Sequence, residues 1–201
     1  MPVVKSRREQ YSEATRAALL EAATALFFER GFGGTALEDV ASAAQVTRGA
    51  VYHHFANKRD LFEAVLDALE TRAKERVNAA TASVDDPWES ALVGLDAFLE
   101  QCTDPVYGRL VWQEGPVALG WDRWKEYEEQ HAYGQIKGFV RALLDADLVE
   151  GPLDLITRFC FHLLGASGQA LAEADERDKQ RTKEQCAEVT QRMLAGLAKG
   201  S

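Results

Sequence analysis

The 201-residue sequence has few cysteines and no long apolar run. Its three cysteines, Cys102, Cys160 and Cys186, are odd in number, lie far apart and form no Cys-x-x-Cys pair, which favours a reducing compartment. No stretch has the unbroken apolar length of a membrane span, and residues 1–16 contain no apolar signal-peptide core. We expect a cytoplasmic protein that is not exported and contacts no membrane.

The sequence motifs of common enzyme classes are also absent. There is no Gly-x-Ser-x-Gly, His-Glu-x-x-His, P-loop or Rossmann glycine pattern. An enzyme that uses His131, His162 or Cys160 is an alternative that rests on residue type alone, because scattered His and Cys are usually structural. The sequence therefore predicts no catalytic residue, no metal site and no cofactor.

Helix signals run along the whole chain and hairpin signals are missing, which predicts an all-α protein. Ser12 is the expected N-cap of the first helix and Gly31 its stop, and Thr182-x-x-Gln185 is an expected capping box before the last helix. Gly115-Pro116 and Gly120 are expected to separate two helices. The main predicted helices cover residues 13–30, 58–80, 153–174 and 183–198, with further starts at Pro87 and Pro105.

Three helix starts fall within the short segment TALEDVASAAQVTRGAVYHHFANK, residues 35–58. Thr35 and Glu38 have the spacing of a capping box, and Thr47 and Asn57 are further N-cap candidates. Apolar residues at helical spacing allow the first two helices to pack across each other around a tight turn. This is the pattern of a helix-turn-helix, whose second helix is free to face a DNA groove.

The stretch that begins at Arg16 and contains FFERGF and VTRGAVYHHFANKRDLF resembles the N-terminal domain of the TetR family of transcriptional regulators. The resemblance implies a three-helix domain whose third helix enters the major groove. It also implies a helical C-terminal domain that forms a homodimer and holds a small-molecule pocket. Gln45 departs from the family, which usually has glycine in the bend, and a left-handed conformation there would cost about 1 kcal/mol.

The charge of the chain is distributed in agreement with this resemblance. Residues 1–60 contain 8 Lys and Arg against 7 Asp and Glu, whereas residues 61–201 contain 15 against 25. The net charge of -9 therefore belongs to the C-terminal part. DNA phosphates should repel that part, so the N-terminal domain would orient binding and added salt would weaken it.

Within the third helix, Arg48 is the main candidate for reading a base, because its guanidinium can donate two parallel hydrogen bonds to guanine. Binding to phosphate alone is the alternative. Thr35 and Lys58, at two helix starts, are expected to contact phosphate. The resemblance implies that Tyr52 and His54 touch the DNA backbone. The full set of expected DNA contacts is Thr35, Thr47, Arg48, Ala50, Tyr52, His53, His54 and Lys58.

Aromatic residues crowd the region between positions 98 and 133, where Gly and Pro interrupt the helices. Such a cluster can line an apolar cavity, with Gln113, Arg109 or a histidine as the orienting polar group. Ordinary core packing is the alternative for each aromatic residue. The expected ligand contacts are Phe98, Tyr107, Trp112, Trp121, Trp124, Tyr127, His131 and His162.

We expect a helix-turn-helix DNA-binding domain over residues 1–57 and a helical ligand-binding and dimerisation domain over residues 58–201. The small residues of LLGASGQAL (163–171) and the last helix would form a four-helix interface between two chains; packing within one chain is the alternative. The predicted function is a homodimeric repressor of a pseudo-palindromic operator, released by a small apolar or aromatic effector, with Phe55 and Phe62 transmitting the change. The alternative is a DNA-binding regulator, activating or architectural, without a small-molecule inducer.

Overall fold

The computed structural model describes residues 6–198, and within this range every regular element is a helix, as predicted. An isolated antiparallel bridge joins Val149 to Ala198. None of the described helices is long and apolar enough to cross a membrane. The elements are α1 (Arg7–Arg30), α2 (Leu37–Ala43), α3 (Arg48–His54), α4 (Lys58–Thr81), α5 (Pro87–Thr103), α6 (Pro105–Tyr107), a π-helical segment (Gly108–Glu114), α7 (Gly115–Leu119), α8 (Trp121–Asp145), α9 (Leu153–Glu173) and α10 (Lys179–Ala195).

Helix α1 begins at Arg7 and not after Ser12, because Ser6 and Glu9 form a capping box. The Glu9 amide donates to Ser6 Oγ over 3.3 Å, and the Ser6 amide donates to Glu9 Oε2 over 2.7 Å. The polar, basic start of the chain, which could act as an arm that touches DNA, is therefore helical at Arg7 and Arg8, while Lys5 lies outside the described residues.

The predicted capping box at Thr35 is wrong. Helix α2 has Ala36 as its N-cap, without a side-chain hydrogen bond. The Thr35 side chain turns inward, with Oγ1 2.9 Å from the Gly31 carbonyl oxygen and 3.2 Å from that of Leu26. The hydroxyl thus donates to carbonyls at the end of α1 instead of capping α2. These hydrogen bonds fix the α1–α2 loop.

The other predicted caps of the DNA-binding domain are confirmed. Thr47 Oγ1 accepts from the Ala50 amide over 3.2 Å, and Asn57 Oδ1 accepts from the Asp60 amide over 3.0 Å. The capping box before the last helix is wrong, because α10 begins at Lys179 and Thr182 lies inside it.

Three phenylalanines hold the end of α1 against the start of α4. The rings of Phe27 and Phe62 meet edge to face with centroids 5.0 Å apart, and Phe32 meets Phe62 at 5.3 Å. Phe55 is buried in the same core, as predicted. This core continues without a break from Leu19 in α1 to Leu171 in α9, so α4 packs with both domains.

The C-terminal helices surround a central run that is continuous from Pro105 to Leu119. The expected break at Gly115-Pro116 does not occur, because Pro116 lies in the first turn of α7, where its missing amide hydrogen is tolerated. The break comes at Gly120, which has a φ of 81°. Between α6 and α7 the chain adopts the rare π-helical form, which is often found at functional sites.

The bend between α2 and α3 places Gln45 in the left-handed region, with a φ of 55°. Glycine adopts this region without the steric cost that a Cβ imposes. The side chain is exposed, so it gains no core packing in return. The departure from glycine therefore leaves local strain in the helix-turn-helix.

We predict that Gln45→Gly stabilises the protein by up to about 1 kcal/mol, because it removes this strain. Gln130→Gly is the matched control: Gln130 is exposed within α8, where glycine costs about 1 kcal/mol. Urea unfolding of both variants measures the difference. An equal loss of stability at the two positions would contradict the expected strain.

Candidate DNA-binding surface and internal cavity

Arg48 lies on the exposed side of α3 and is already engaged within the protein. Its Nη2 is 3.0 Å from Glu38 Oε1 on α2 and 3.5 Å from the Tyr52 hydroxyl. The hydrogen bond with Tyr52, and next the charge of Glu38, raise the pKa of Arg48. Because the guanidinium is charged and its side chain is 66% exposed, DNA can compete with Glu38 for it.

The remaining predicted contacts of α3 share this exposed surface. Thr47, Tyr52 and His53 are exposed, and Ala50 and His54 are half-buried. Burial, followed by the nearby charges of His53 and Arg16, lowers the pKa of His54. No group of three or more His, Cys, Asp or Glu within residues 6–198 could hold a metal ion.

The two residues that are expected to contact phosphate, Thr35 and Lys58, differ in how accessible they are to DNA. The Thr35 side chain is only 2% exposed and is therefore unavailable to DNA, which corrects the prediction. The Lys58 ammonium donates to the carbonyl oxygens of Phe32 over 2.7 Å and Thr35 over 3.0 Å. It also lies 4.5 Å from the centre of the Phe32 ring. Lys58 thus fastens the α1–α2 loop, and its contact with phosphate stays a prediction.

A cavity of about 930 Å³ occupies the C-terminal domain. Its wall is formed by α4, α5, α8, α9, α10 and the run from α6 to α7. Trp121 is 60% exposed and so contacts both the cavity and the solvent. Most of the predicted ligand contacts are brought together on this wall, namely Phe98, Tyr107, Trp112, Trp121, Trp124, His131 and His162.

Tyr127 is the exception, because it is buried and does not line the cavity. Its hydroxyl donates to Asp67 Oδ1 over 3.0 Å, and its ring lies 4.3 Å from that of His131. Arg109 also points elsewhere, with its guanidinium 5.7 Å from the centre of the Phe28 ring in α1. Of the expected orienting groups, Gln113, His131 and His162 line the cavity and Arg109 does not.

Three acidic residues that were not among the predicted contacts lie on the cavity wall, the exposed Glu173 and the buried Glu70 and Glu128. Glu70 and Glu128 are only 5% and 6% exposed. The Tyr107 hydroxyl donates to Glu70 Oε1 over 2.7 Å. Burial raises the pKa of Glu70 to about 7, and burial together with Glu70 raises the pKa of Glu128 well above its ordinary value. The sequence contains one signal for both buried residues: each is an acidic residue at a position that the spacing of apolar residues assigns to the buried face of its helix.

A hydrogen bond connects the cavity wall directly to the DNA-binding domain. The Phe32 amide donates to Glu114 Oε2 over 2.8 Å. Glu114 ends the π-helical segment, and the two preceding residues, Trp112 and Gln113, line the cavity. Gly31 allows this approach, because with its φ of 73° a Cβ there would lie 2.8 Å from Glu114 Oε1.

Comparison with known proteins agrees with this arrangement. Residues 19–65 match the family described as bacterial regulatory proteins, tetR family. Residues 88–197, more than half of the chain, match the tetracyclin repressor-like C-terminal domain. The chain belongs to the TetR family. It is a transcriptional regulator with an N-terminal helix-turn-helix domain and a larger helical C-terminal domain, as the sequence predicted.

Individual relatives differ in how much of the chain they match. The regulator TtgR of Pseudomonas putida is 41% identical over 80 residues, which cover 40% of this chain and 38% of that protein. The matched region thus spans well under half of that relative. The TetC protein of transposon Tn10 from Escherichia coli is 24% identical over 147 residues, covering 70% of this chain and 71% of TetC.

Solved structures match over nearly the full length. A TetR-family transcriptional regulator from Pectobacterium atrosepticum has a TM-score of 0.81 and 27% identity, covering 97% of this chain and 98% of that one. RolR in complex with resorcinol has a TM-score of 0.67 and 22% identity, covering 96% and 97%. The likeness to RolR shows a shared fold.

We predict that Arg48→Ala lowers the preference for a selected operator over scrambled DNA at least about 5-fold, because a bidentate base contact contributes about 1–3 kcal/mol. The operator is first selected from a random DNA pool, and both affinities are measured at one salt concentration. Arg192→Ala removes an exposed charge from α10 and should leave the preference intact. An unchanged preference in Arg48→Ala would show that Arg48 binds only phosphate.

Proposed function

We propose that this TetR-family regulator is a homodimeric repressor that a small apolar or aromatic effector releases from a pseudo-palindromic operator. One observation carries the proposal. The π-helical segment contributes Trp112 and Gln113 to the cavity wall and Glu114 to a hydrogen bond with the DNA-binding domain. A molecule that displaces this segment would therefore act on both domains.

The cavity has the properties of an effector site. Its volume of about 930 Å³ lies within the range of small-molecule sites, and its wall is mostly apolar and aromatic. RolR, which shares the fold, is solved with resorcinol bound. This supports an aromatic effector for the present chain without fixing its identity.

The coupling mechanism depends on the Phe32 backbone, because residues of the π-helical segment and of α4 both form hydrogen bonds with it. Glu114 accepts from the Phe32 amide, and Lys58 donates to the Phe32 carbonyl. The Phe32 ring also packs against Phe62 in α4. An effector that binds one arrangement of the π-helical segment more tightly would shift this loop and hence the recognition helices.

Exposed apolar side chains on α9 and α10 support the homodimer. Leu155 and Phe159 are 50% and 64% exposed, and Val189 and Met193 are 51% and 53% exposed. Part of the small-residue stretch instead packs within the chain, because Ser167 and Gly168 are buried. Covering the apolar side chains with a second copy would place two recognition helices on one DNA duplex, as a pseudo-palindromic operator requires.

We predict that Phe159→Glu raises the dimer dissociation constant at least about 100-fold, because burying an unpaired carboxylate costs several kcal/mol. Analytical ultracentrifugation across a concentration series measures this change. Val117→Glu is the matched control, since Val117 is 73% exposed on α7, away from α9 and α10. A dimer that tolerates Phe159→Glu and not Val117→Glu would place the interface elsewhere.

We predict that Glu114→Ala retains effector binding and loses most of the effector-induced release from the operator, because the link to Phe32 is removed. The probe is a compound that stabilises the wild-type protein in a thermal-shift screen and releases its operator. Glu75→Ala, which removes an exposed acidic residue from α4, should release normally. Full release in Glu114→Ala would show that coupling takes another route.

The proposal as a whole is tested with the purified wild-type protein. Selection from a random pool should yield a two-fold symmetric DNA site, bound by two copies of the chain. Apolar aromatic compounds should stabilise the protein and weaken its binding to that site. If no compound in such a screen does either, the alternative of a regulator without a small-molecule inducer is favoured.

A further inference from the structure

We infer that the cavity selects a lipophilic organic cation, an aromatic molecule with a protonated amine, and that Glu128 together with Glu70 binds the amine. This inference rests on the proposed function, because it assigns a chemical class to the effector of the same cavity. It follows from a buried carboxyl group with one unpaired oxygen, a second acidic group nearby and the aromatic wall around them.

The first observation is the isolation of Glu128. Its side chain lines the cavity and is 6% exposed, and no donor within residues 6–198 reaches its Oε1. An unpaired buried acceptor costs about 1–3 kcal/mol, and folded proteins contain few of them. A hydrogen-bond donor that enters the cavity would remove this cost.

The second observation is the surplus of acid around this position. Glu70 shares the wall with Glu128, and its own hydrogen bond comes from the Tyr107 hydroxyl. Lys74 lowers the pKa of Glu70, whereas the charge that acts on Glu128 is that of Glu70, which raises its pKa further. The other ionisable side chains on the wall are Lys74 on α4, Tyr107 on α6, Lys125 and His131 on α8, and Cys160, His162 and Glu173 on α9. Asp67 and Cys102 interact with the pair from behind the wall.

These features distinguish between classes of ligand. Lys74 and Lys125 also line the cavity, but an organic anion that reaches Glu128 would meet two buried acidic side chains and is disfavoured there. A neutral hydroxyl could donate to Glu128 but would add no positive charge beside it, and the charge of Lys74 acts on Glu70 only. A protonated amine supplies both the donor and the positive charge, and the nearby rings of Trp112 and Trp124 add cation–π attraction.

The amine also restores the charged form of the pair. Burial and mutual repulsion favour a protonated carboxyl in the empty cavity. When the ammonium group binds, a carboxyl group ionises and its proton passes to water, so the ion pair forms without a net change of charge in the site. Proton release on binding is therefore expected alongside the affinity change.

Three naphthalene compounds test the inference: 1-naphthylmethylamine, 1-naphthalenemethanol and 1-naphthoate, which are cationic, neutral and anionic at pH 7. Isothermal titration calorimetry in buffers of different ionisation enthalpy measures affinity and proton release. With the wild-type protein, we expect the amine to bind at least about 10-fold more tightly than the alcohol, because charge-assisted hydrogen bonds contribute about 1.5–3 kcal/mol. The naphthoate should bind most weakly.

Glu128→Gln should weaken amine binding at least about 10-fold and change alcohol binding less than about threefold. Glu126→Gln is the matched control, because Glu126 lies on the same helix outside this cavity and its side chain is 68% exposed. Thermal unfolding monitors the fold, and Glu128→Gln should melt at or above the wild-type temperature, since the change removes a buried ionisable group.

Three results would overturn the inference: equal wild-type affinity for the alcohol and the amine, unchanged amine affinity in Glu128→Gln, or no amine binding at about 1 mM. Operator binding in the same samples separates this outcome from failure of the proposed function. If amine binding depends on Glu128 but the operator stays bound, the effector-driven release is contradicted and the cation preference is retained. Operator release by the alcohol or the naphthoate, and not by the amine, retains the switch and rejects the cation preference.

Discussion

The Phe32 backbone is held from two sides, and the relation between the two domains depends on these bonds. Its amide donates to Glu114 over 2.8 Å, and its carbonyl accepts from Lys58 over 2.7 Å. The two charged groups come from the end of the π-helical segment and the start of α4. Because charge-assisted hydrogen bonds are roughly twice as strong as neutral ones, a loop of the small DNA-binding domain is fixed by residues outside it.

The cavity is shaped by close approach of aromatic rings to helix backbones. Gly168 packs against the Trp112 ring and Gly94 against Phe139, so closely that a Cβ at either position would collide with the ring. The rings are thereby held as walls, and among residues 6–198 two buried polar atoms, Trp112 Nε1 and Glu128 Oε1, have no hydrogen-bond partner. Burying Glu128 in this cavity lowers the stability of the ligand-free protein. A molecule that supplies the missing hydrogen-bond donor removes this penalty, which therefore contributes to its binding free energy.

The sequence was most informative where structure is determined locally. The caps Thr47 and Asn57 and the aromatic cluster could be predicted, because a cap needs only its own helix and clustered aromatics must pack together. Thr35 has an equally good local pattern, yet carbonyls of α1 compete for its hydroxyl. Tyr127 was misplaced because only tertiary packing decides which side of α8 faces the cavity. Phe32 and Glu114 are 82 residues apart, so no local signal indicates their bond.

The charge distribution explains why a small shift between the domains can suffice for regulation. Residues 1–60 carry a net charge of only +1, and part of the positive charge on the DNA-binding surface is paired internally, as Arg48 is with Glu38. A single domain therefore has modest attraction for DNA, and the proposed homodimer would bring a second domain to the same duplex. In the proposed homodimer, the spacing of half-sites on DNA is fixed, so displacing the Phe32 loop in either copy would weaken both contacts at once. The proposed effector would then need to supply only the few kcal/mol that separate the two arrangements.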